Sequence, residues 1–173
     1  ETAMAAANLA ASIVVGKRGT ATTTQGELLA EIADSRRAAP ETHGALPLAD
    51  AKALRQQWAS EGLTVGFTNG CFDILHGGHI ALLRQAAAAC DRLIVALNTD
   101  ASVAKLKGPT RPVQPEDVRA AVMASVKGVD AVVLFGEQTP LELITALEPV
   151  VLVKGADYSE DQIVGADLVR ARG

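Results

Sequence analysis

Aromatic side chains are scarce in this sequence: one Trp, one Tyr and three Phe, 3% of 173 residues. With 49% hydrophobic residues and so few rings, the composition argues for close-packed helices on a sheet and against an aromatic-rich binding surface. Cysteine is almost as rare. Cys71 and Cys90 fall in different predicted elements and no CxxC pair exists, so no disulfide framework is expected, as in a reducing cytoplasm. There is no basic excess: 16 Lys and Arg stand against 20 Asp and Glu, a net charge of -4. That balance speaks against a duplex nucleic-acid partner. Nothing approaches the roughly 18 unbroken apolar residues of a membrane span. The apolar run at residues 3–15 is short and lacks the basic start of a signal peptide. What is there is enough chain for one medium domain, or a smaller domain with an appendage, burying roughly 70% of its unfolded surface.

Pro40, Gly44 and Pro47 punctuate residues 38–47, which have no hydrophobic period and read as a linker. Before it, residues 1–37 hold an Ala-rich helix (about 1–15, ending at Gly16), a Thr-rich turn and a second helix (about 25–37). Two such helices bury no core alone, so this piece is a docking appendage or the end of another domain. Beyond the linker the pattern alternates. Residues 49–61 read as a helix with Ala51, Leu54 and Trp58 on one face and Gly62 as its stop. Leu63 to Thr68, Leu93 to Asn98, Ala131 to Phe135 and Val150 to Val153 read as apolar strands. Helices are expected over 77–89, from Pro115 to about Lys127, and from a capping box at Thr139-Pro140-Leu141-Glu142 to about Leu147. Strands alternating with helices predict an α/β doubly wound parallel sheet with an N-terminal helical appendage.

The chemistry concentrates where the first strand meets its helix. Thr68-Asn69-Gly70 ends the strand and His76-Gly77-Gly78-His79 opens the helix. Ligands of open parallel sheets bind beyond the carboxyl ends of the strands. A helix N-terminus there presents N–H groups and a positive dipole end to phosphate. Gly77 and Gly78 let a phosphate approach the backbone, and His76 and His79, three apart, share a face. A single His at a helix start is ordinarily a cap or a surface residue. Two of the chain's three histidines around a Gly pair point to a phosphate site. Cys71, Asp73, His76 and His79 also have metal-ligand chemistry, but their spacing fits no common structural zinc pattern, and no metal site is expected.

These residues resemble the nucleotidyltransferase superfamily with the HxGH signature. Further segments narrow the resemblance: Asn98-Thr99-Asp100, Lys105-Leu106-Lys107-Gly108, Arg111-Pro112, Pro115-Glu116-Asp117-Val118-Arg119 and Val153-Lys154-Gly155-Ala156-Asp157-Tyr158. Together they are similar to the adenylyltransferase domain of bifunctional heptose 7-phosphate kinase/heptose 1-phosphate adenylyltransferases. Ala7 to Ala11, Val14 to Lys17 and Gly19 to Thr22 resemble the end of the ribokinase-like kinase domain of that family. The resemblance thus implies a kinase tail at 1–37, a linker at 38–47 and a nucleotidyltransferase domain at 48–173. It also implies a later Ser/Thr-rich motif beyond one more strand, which these 173 residues do not include, so the domain is expected to be truncated at its C-terminus. No kinase activity is expected from this chain.

The resemblance implies transfer of AMP from ATP to D-glycero-β-D-manno-heptose 1-phosphate, giving ADP-heptose and pyrophosphate. His76 and His79 would contact the α- and β-phosphates, and Lys107 and Arg119 would neutralise phosphate charge. Thr68, Asn69, Gly70, Cys71, Phe72, Gly78, Lys154, Gly155 and Asp157 would bind the nucleotide. Asp73, Asp100, Lys105 and Arg111 would face the acceptor sugar or the ribose. The bland alternatives are a solvated basic face for Lys105 and Arg111, a helix cap for Asp73, and an ordinary strand-end turn at 154–157. Mg²⁺ is expected to ride on the nucleotide phosphates, outside any protein cage. The partners expected are small molecules, ATP and a sugar phosphate, with no nucleic acid and no membrane; the protein is expected in the cytoplasm, with a homo-oligomer open. Two rivals remain: a cytidylyltransferase for a polyol phosphate, and a non-catalytic nucleotide-binding fragment.

Overall fold

The fold is taken from a computed structural model that describes residues 10–11, 13–15, 22–29, 44–155, 159 and 162–172. The chain forms two compact units, Glu1–Pro40 and Glu41–Gly173. In the first, the described parts of both expected helices are helical, at 10–11, 13–15 and 25–29. The second of these opens on a reciprocal capping box. Glu27 N–H donates to Thr24 Oγ1 at 3.2 Å, and Thr24 N–H donates to Glu27 Oε2 at 2.8 Å. The remaining positions of those two helices lie outside the described residues.

The second unit runs α1 (Leu48–Ser60), β1 (Val65–Gly70), α2 (Gly77–Ala88), β2 (Arg92–Asn98), α3 (Asp100–Lys107), α4 (Glu116–Ala124), β3 (Ala131–Phe135), α5 (Leu141–Leu147), β4 (Val151–Leu152) and α6 (Ala166–Arg170). Its four strands form one parallel sheet in the order β3-β2-β1-β4. Strand alternation sorts the core into two layers. Phe67, Ile94, Ala96, Ala131 and Val133 meet Ala51 and Trp58 of α1 and Leu143, Ile144 and Leu147 of α5. Leu93, Val95, Leu97 and Val132 meet Leu83, Ala86 and Ala87 of α2 and Ala120 and Met123 of α4. Every residue of β2 is buried, which is why it reads as an unbroken apolar run: side chains go into protein on both faces. Backbone closeness sets one position in β1. A Cβ on Gly66 would lie 2.6 Å from Cys90 Sγ, so the end of α2 packs against β1 only with glycine there.

The parallel α/β fold expected from the sequence is present, and its differences have local causes. Two helices were not expected. α3 buries only Ser102 and Val103, too few to print an apolar stripe, and α6 buries no residue. The expected capping box at Thr139 is not formed: Pro140 is itself the N-cap of α5, with no side-chain cap bond. The last strand is shorter than 150–153, because Val150 is exposed and Val153 lies beyond the paired residues. The end of the predicted linker is structured. Leu46 N–H donates to Val132 O at 2.7 Å and forms a parallel bridge to Val133, so it covers the outer edge of β3.

The strand order positions the site. From β1 the sheet grows through β2 to β3 in one direction, whereas β4 pairs on the other side of β1. Loops after β1 and β4 therefore part at this reversal and leave a crevice at their carboxyl ends.

Candidate functional site

A cleft of about 1060 Å³ opens at that crevice. Its lining comes from the loop after β1, the exposed side of α2, the end of α3 and the segment after β4. It gathers most of the residues singled out in the sequence: Asn69, Gly70, Cys71, Phe72, Asp73, His76, Gly78, His79, Lys107, Arg111, Lys154 and Gly155.

α2 starts at Gly77 with His76 in extended geometry as its N-cap; there is no side-chain cap and no acidic residue in the first turn. An anion at this end would meet backbone N–H groups with no carboxylate competing for them. The two imidazoles stand over it, stacked at 3.8 Å between ring centroids and 25° between planes. The His76 ring folds across Gly78, where a Cβ would sit 3.1 Å from it. Burial, then the neighbouring charges of His76 and Lys107, push the His79 pKa below the ordinary imidazole value, so His79 is neutral at pH 7. A neutral imidazole has one N–H donor, and a backbone hydrogen bond to Ile74, which opposes the downward shift, competes for it.

The loop between β1 and α2 is held in an unusual shape. Phe72 is buried at φ 45°, a left-handed conformation that costs a non-glycine residue about 1–2 kcal/mol. Its ring packs into the core and against His79, with centroids 5.0 Å apart. Gly70 permits this, since a Cβ there would be 3.0 Å from the Phe72 ring. Strain of this sort persists where surrounding contacts over-determine it. Here those contacts set the histidine pair.

Asp73, 3% exposed, is an anchor for the loop before α4. Its Oδ1 accepts from Val113 N–H at 2.7 Å and Gln114 N–H at 3.2 Å, and its Oδ2 pairs with Arg111 Nε at 3.1 Å. Burial raises its pKa, but the two amide bonds and the charges of Arg111 and Lys107 together outweigh it, and the net shift is downward. It does not cap α2, whose N-cap bears no side-chain bond. Lys154 reaches across from β4, its Nζ donating to Asn69 O at 3.4 Å, and burial lowers its pKa.

Several expected site residues are placed elsewhere. Arg119 does not line the cleft and has a fully buried side chain. Its donors go to Gln114 O, Cys71 O, Asn98 O and Asp100 Oδ1, so its hydrogen bonds are made to protein acceptors behind the lining. Asp100 is bound to that guanidinium at 2.6 Å and is likewise absent from the cleft lining. Thr68 is 1% exposed on β1, behind the lining, and Lys105 is exposed on α3 outside it. Asp157 lies outside the described residues. The structure adds lining residues that the sequence did not single out: Gln85 on α2, Gln138 and Thr139 before α5, and Gln162 after β4. Gln85 is seven residues past Gly78 on the same helix face, a spacing the sequence did offer. Asn98 also lines the cleft; its Nδ2 donates to Ser102 Oγ at 3.0 Å.

Among the described residues, no group of three or more His, Cys, Asp and Glu could hold a metal ion. Asp73, the carboxylate among the cleft's lining residues, is paired with Arg111.

Comparison with known proteins adds three findings. A family model described as cytidylyltransferase-like matches residues 67–170. The chain is 61% identical over 172 residues to the bifunctional protein HldE of Gluconacetobacter diazotrophicus, covering 99% of this chain and 36% of that protein. It is 54% identical over 173 residues to the bifunctional protein HldE of Granulibacter bethesdensis, covering 100% of this chain and again 36% of that protein. The chain thus spans about 36% of the length of these curated relatives. Among solved structures it is similar to the lipopolysaccharide core biosynthesis protein from Thermoplasma volcanium, with a TM-score of 0.52 and 26% identity over 65% of this chain and 90% of that one.

Proposed function

This chain belongs to the cytidylyltransferase-like family, and we propose that it is a heptose 1-phosphate adenylyltransferase, a reading supported by its bifunctional relatives and by its likeness to a lipopolysaccharide core biosynthesis protein. ATP and D-glycero-β-D-manno-heptose 1-phosphate give ADP-heptose and pyrophosphate, in supply of lipopolysaccharide core sugar. A phosphate oxygen of the sugar attacks the α-phosphorus, the bond from that phosphorus to the bridging oxygen breaks, and pyrophosphate leaves with it. A phosphate monoester is already ionised near pH 7, so the site needs positioning and charge stabilisation more than a base. The observation that carries this reading is the His76–His79 pair stacked over the uncapped start of α2, at the crevice between β1 and β4.

In this reading His76 and His79 donate to phosphate oxygens, and Lys107 at the end of α3 supplies positive charge. Asn69, Gly70, Gly78, Lys154 and Gly155 line the nucleotide side, and Asp73 with Arg111 borders the acceptor. Mg²⁺ carried on the phosphates would neutralise charge there. Residues 1–37 are read as the tail of a sugar kinase, supported by relatives named bifunctional that align over them. Among the described residues no helix is long and apolar enough to cross a membrane; a cytoplasmic location is part of the same proposal, from the resemblance.

A second reading keeps the site and changes the substrates: a cytidylyltransferase for a polyol phosphate, favoured by the description of the family model. Pyrophosphate release from ATP and from CTP, each with β-heptose 1-phosphate and with glycerol 3-phosphate, separates the two. Release with ATP and the heptose alone is expected. Release only with CTP would replace the first reading by the second, and nucleotide binding without release in any pair would leave a binding module.

A further inference from the structure

Arg119 is the largest fully buried side chain of the chain's described residues, and every hydrogen bond it makes ends on protein. Its Nε donates to Gln114 O at 3.0 Å. Its Nη1 donates to Cys71 O at 2.8 Å and Asn98 O at 2.9 Å. Its Nη2 donates to Asp100 Oδ1 at 2.6 Å. A buried guanidinium persists only when its donors and charge are satisfied, and here they are. The acceptors come from different segments that converge on the cleft. Cys71 opens the loop that leads through Phe72 to His76. Asn98 ends β2. Gln114 belongs to the loop that carries Arg111. Asp100 is the first residue of α3, whose last residue is Lys107.

α3 is pinned at that same end by a second clasp. Asp100 N–H donates to Glu116 Oε2 at 2.6 Å, and Glu116 begins α4, the helix that bears Arg119. Thr99 Oγ1 caps the Ser102 N–H. Lys107 therefore projects into the cleft from a helix whose start is fixed to α4, and its charge acts on His79 and on Asp73.

We infer that Arg119 is a positioning residue for phosphate binding: through Cys71 it holds the histidine loop, through Asp100 it holds the Lys107 helix, and so it keeps the histidine and lysine arms of the cleft in register. This rests on the nucleotidyltransferase reading of the cleft. The rigid fork of arginine is essential to it, because the ammonium of lysine donates from a single point and cannot span carbonyls of separate loops.

The test is calorimetric affinity for ATP and for adenosine in the 173-residue chain, with Arg119→Lys, Asp100→Asn, Lys107→Ala and the double variants. A misplacement of about 1 Å in a preorganised site costs on the order of 100-fold. Arg119→Lys keeps the charge, and it is expected to weaken ATP by about 10-fold to 100-fold while adenosine affinity stays unchanged. Added to Lys107→Ala, it should cost less than it does in the wild type, because the part of its effect that runs through Asp100 is already lost. Should Arg119→Lys fail to fold by circular dichroism, Asp100→Asn decides: its side chain is 40% exposed, and the carbonyl bonds of Arg119 remain. Wild-type ATP affinity in the folded variants, or losses that simply multiply, would overturn the inference. Equal losses for ATP and adenosine would do the same, since they mark a merely structural role. The readout is binding, so the outcome is separate from turnover. ATP coupling without pyrophosphate release would sink the adenylyl-transfer reading and leave this one standing, and a wild-type chain that binds no ATP would sink both.

Discussion

His79 combines three neighbours that no single sequence motif reveals together: the stacked His76 ring, the tilted Phe72 ring and the charge of Lys107. With His79→Ala, kcat is expected to fall by about 100-fold to 1000-fold, as when a preorganised donor to a developing oxyanion is removed. The circular dichroism spectrum should be unchanged, and turnover within a few-fold of wild type would contradict the role. Asp73 gives a pH prediction. Its folded-state pKa lies below the usual 3.8, so between those values the unfolded chain binds more protons. The stabilisation is complete above the unfolded value and is lost as pH falls through the folded one. The urea midpoint of the wild type should therefore drop more steeply below about pH 4 than that of Asp73→Asn; parallel slopes would show that the carboxylate contributes nothing. The histidines, glycines and Lys107 were legible because a phosphate site needs donors, small residues and charge near one strand end. The place of Arg119 was not, because a cation near a phosphate loop reads the same whether it faces ligand or carbonyls. Only burial separates the two.

At the scale of elements, strands β1, β2 and β3 and the helices α1, α2, α4 and α5 were visible in hydrophobic period and punctuation, with ends that match or shift by at most three residues. α3 was not. Thr99 caps it through a bond to Ser102 N–H at 3.4 Å, but its eight residues bury too little to give a period. Thr139 misled in the opposite sense, since its pattern matches a capping box while Pro140 takes the cap position. Thr99→Ala should lower stability by about 0.5–1 kcal/mol, whereas Thr139→Ala should change it by less than about 0.5 kcal/mol. Chemical denaturation of both variants checks this, and the reverse order would mean the caps are misassigned. Packing of α2 on β1 predicts a further pair. Gly66→Ala places a methyl 2.6 Å from Cys90 Sγ and should cost about 1–3 kcal/mol, an overpacking penalty. Cys90→Ala in the same chain should recover most of it, and a Gly66→Ala protein of wild-type melting temperature would show that the end of α2 yields.

At the scale of the whole molecule, the reversal of strand order between β1 and β4 decides where chemistry sits. The alternation of strands and helices predicted a doubly wound sheet, but strand order was not written in the sequence; it follows from which edges pair. The cleft then joins segments distant in the chain, from Asn69 to Lys107 and on to Lys154. Membership in the cytidylyltransferase-like family agrees with the nucleotide site we propose for it. The adenylyl-transfer account is tested most directly by following label from ATP. The chain is incubated with β-heptose 1-phosphate and ATP labelled on either the α- or the γ-phosphorus. The account predicts α-label in a sugar nucleotide and γ-label in pyrophosphate. Label from the γ-phosphorus in the sugar product, or no label transferred from the α-phosphorus by a chain that binds ATP, would contradict it.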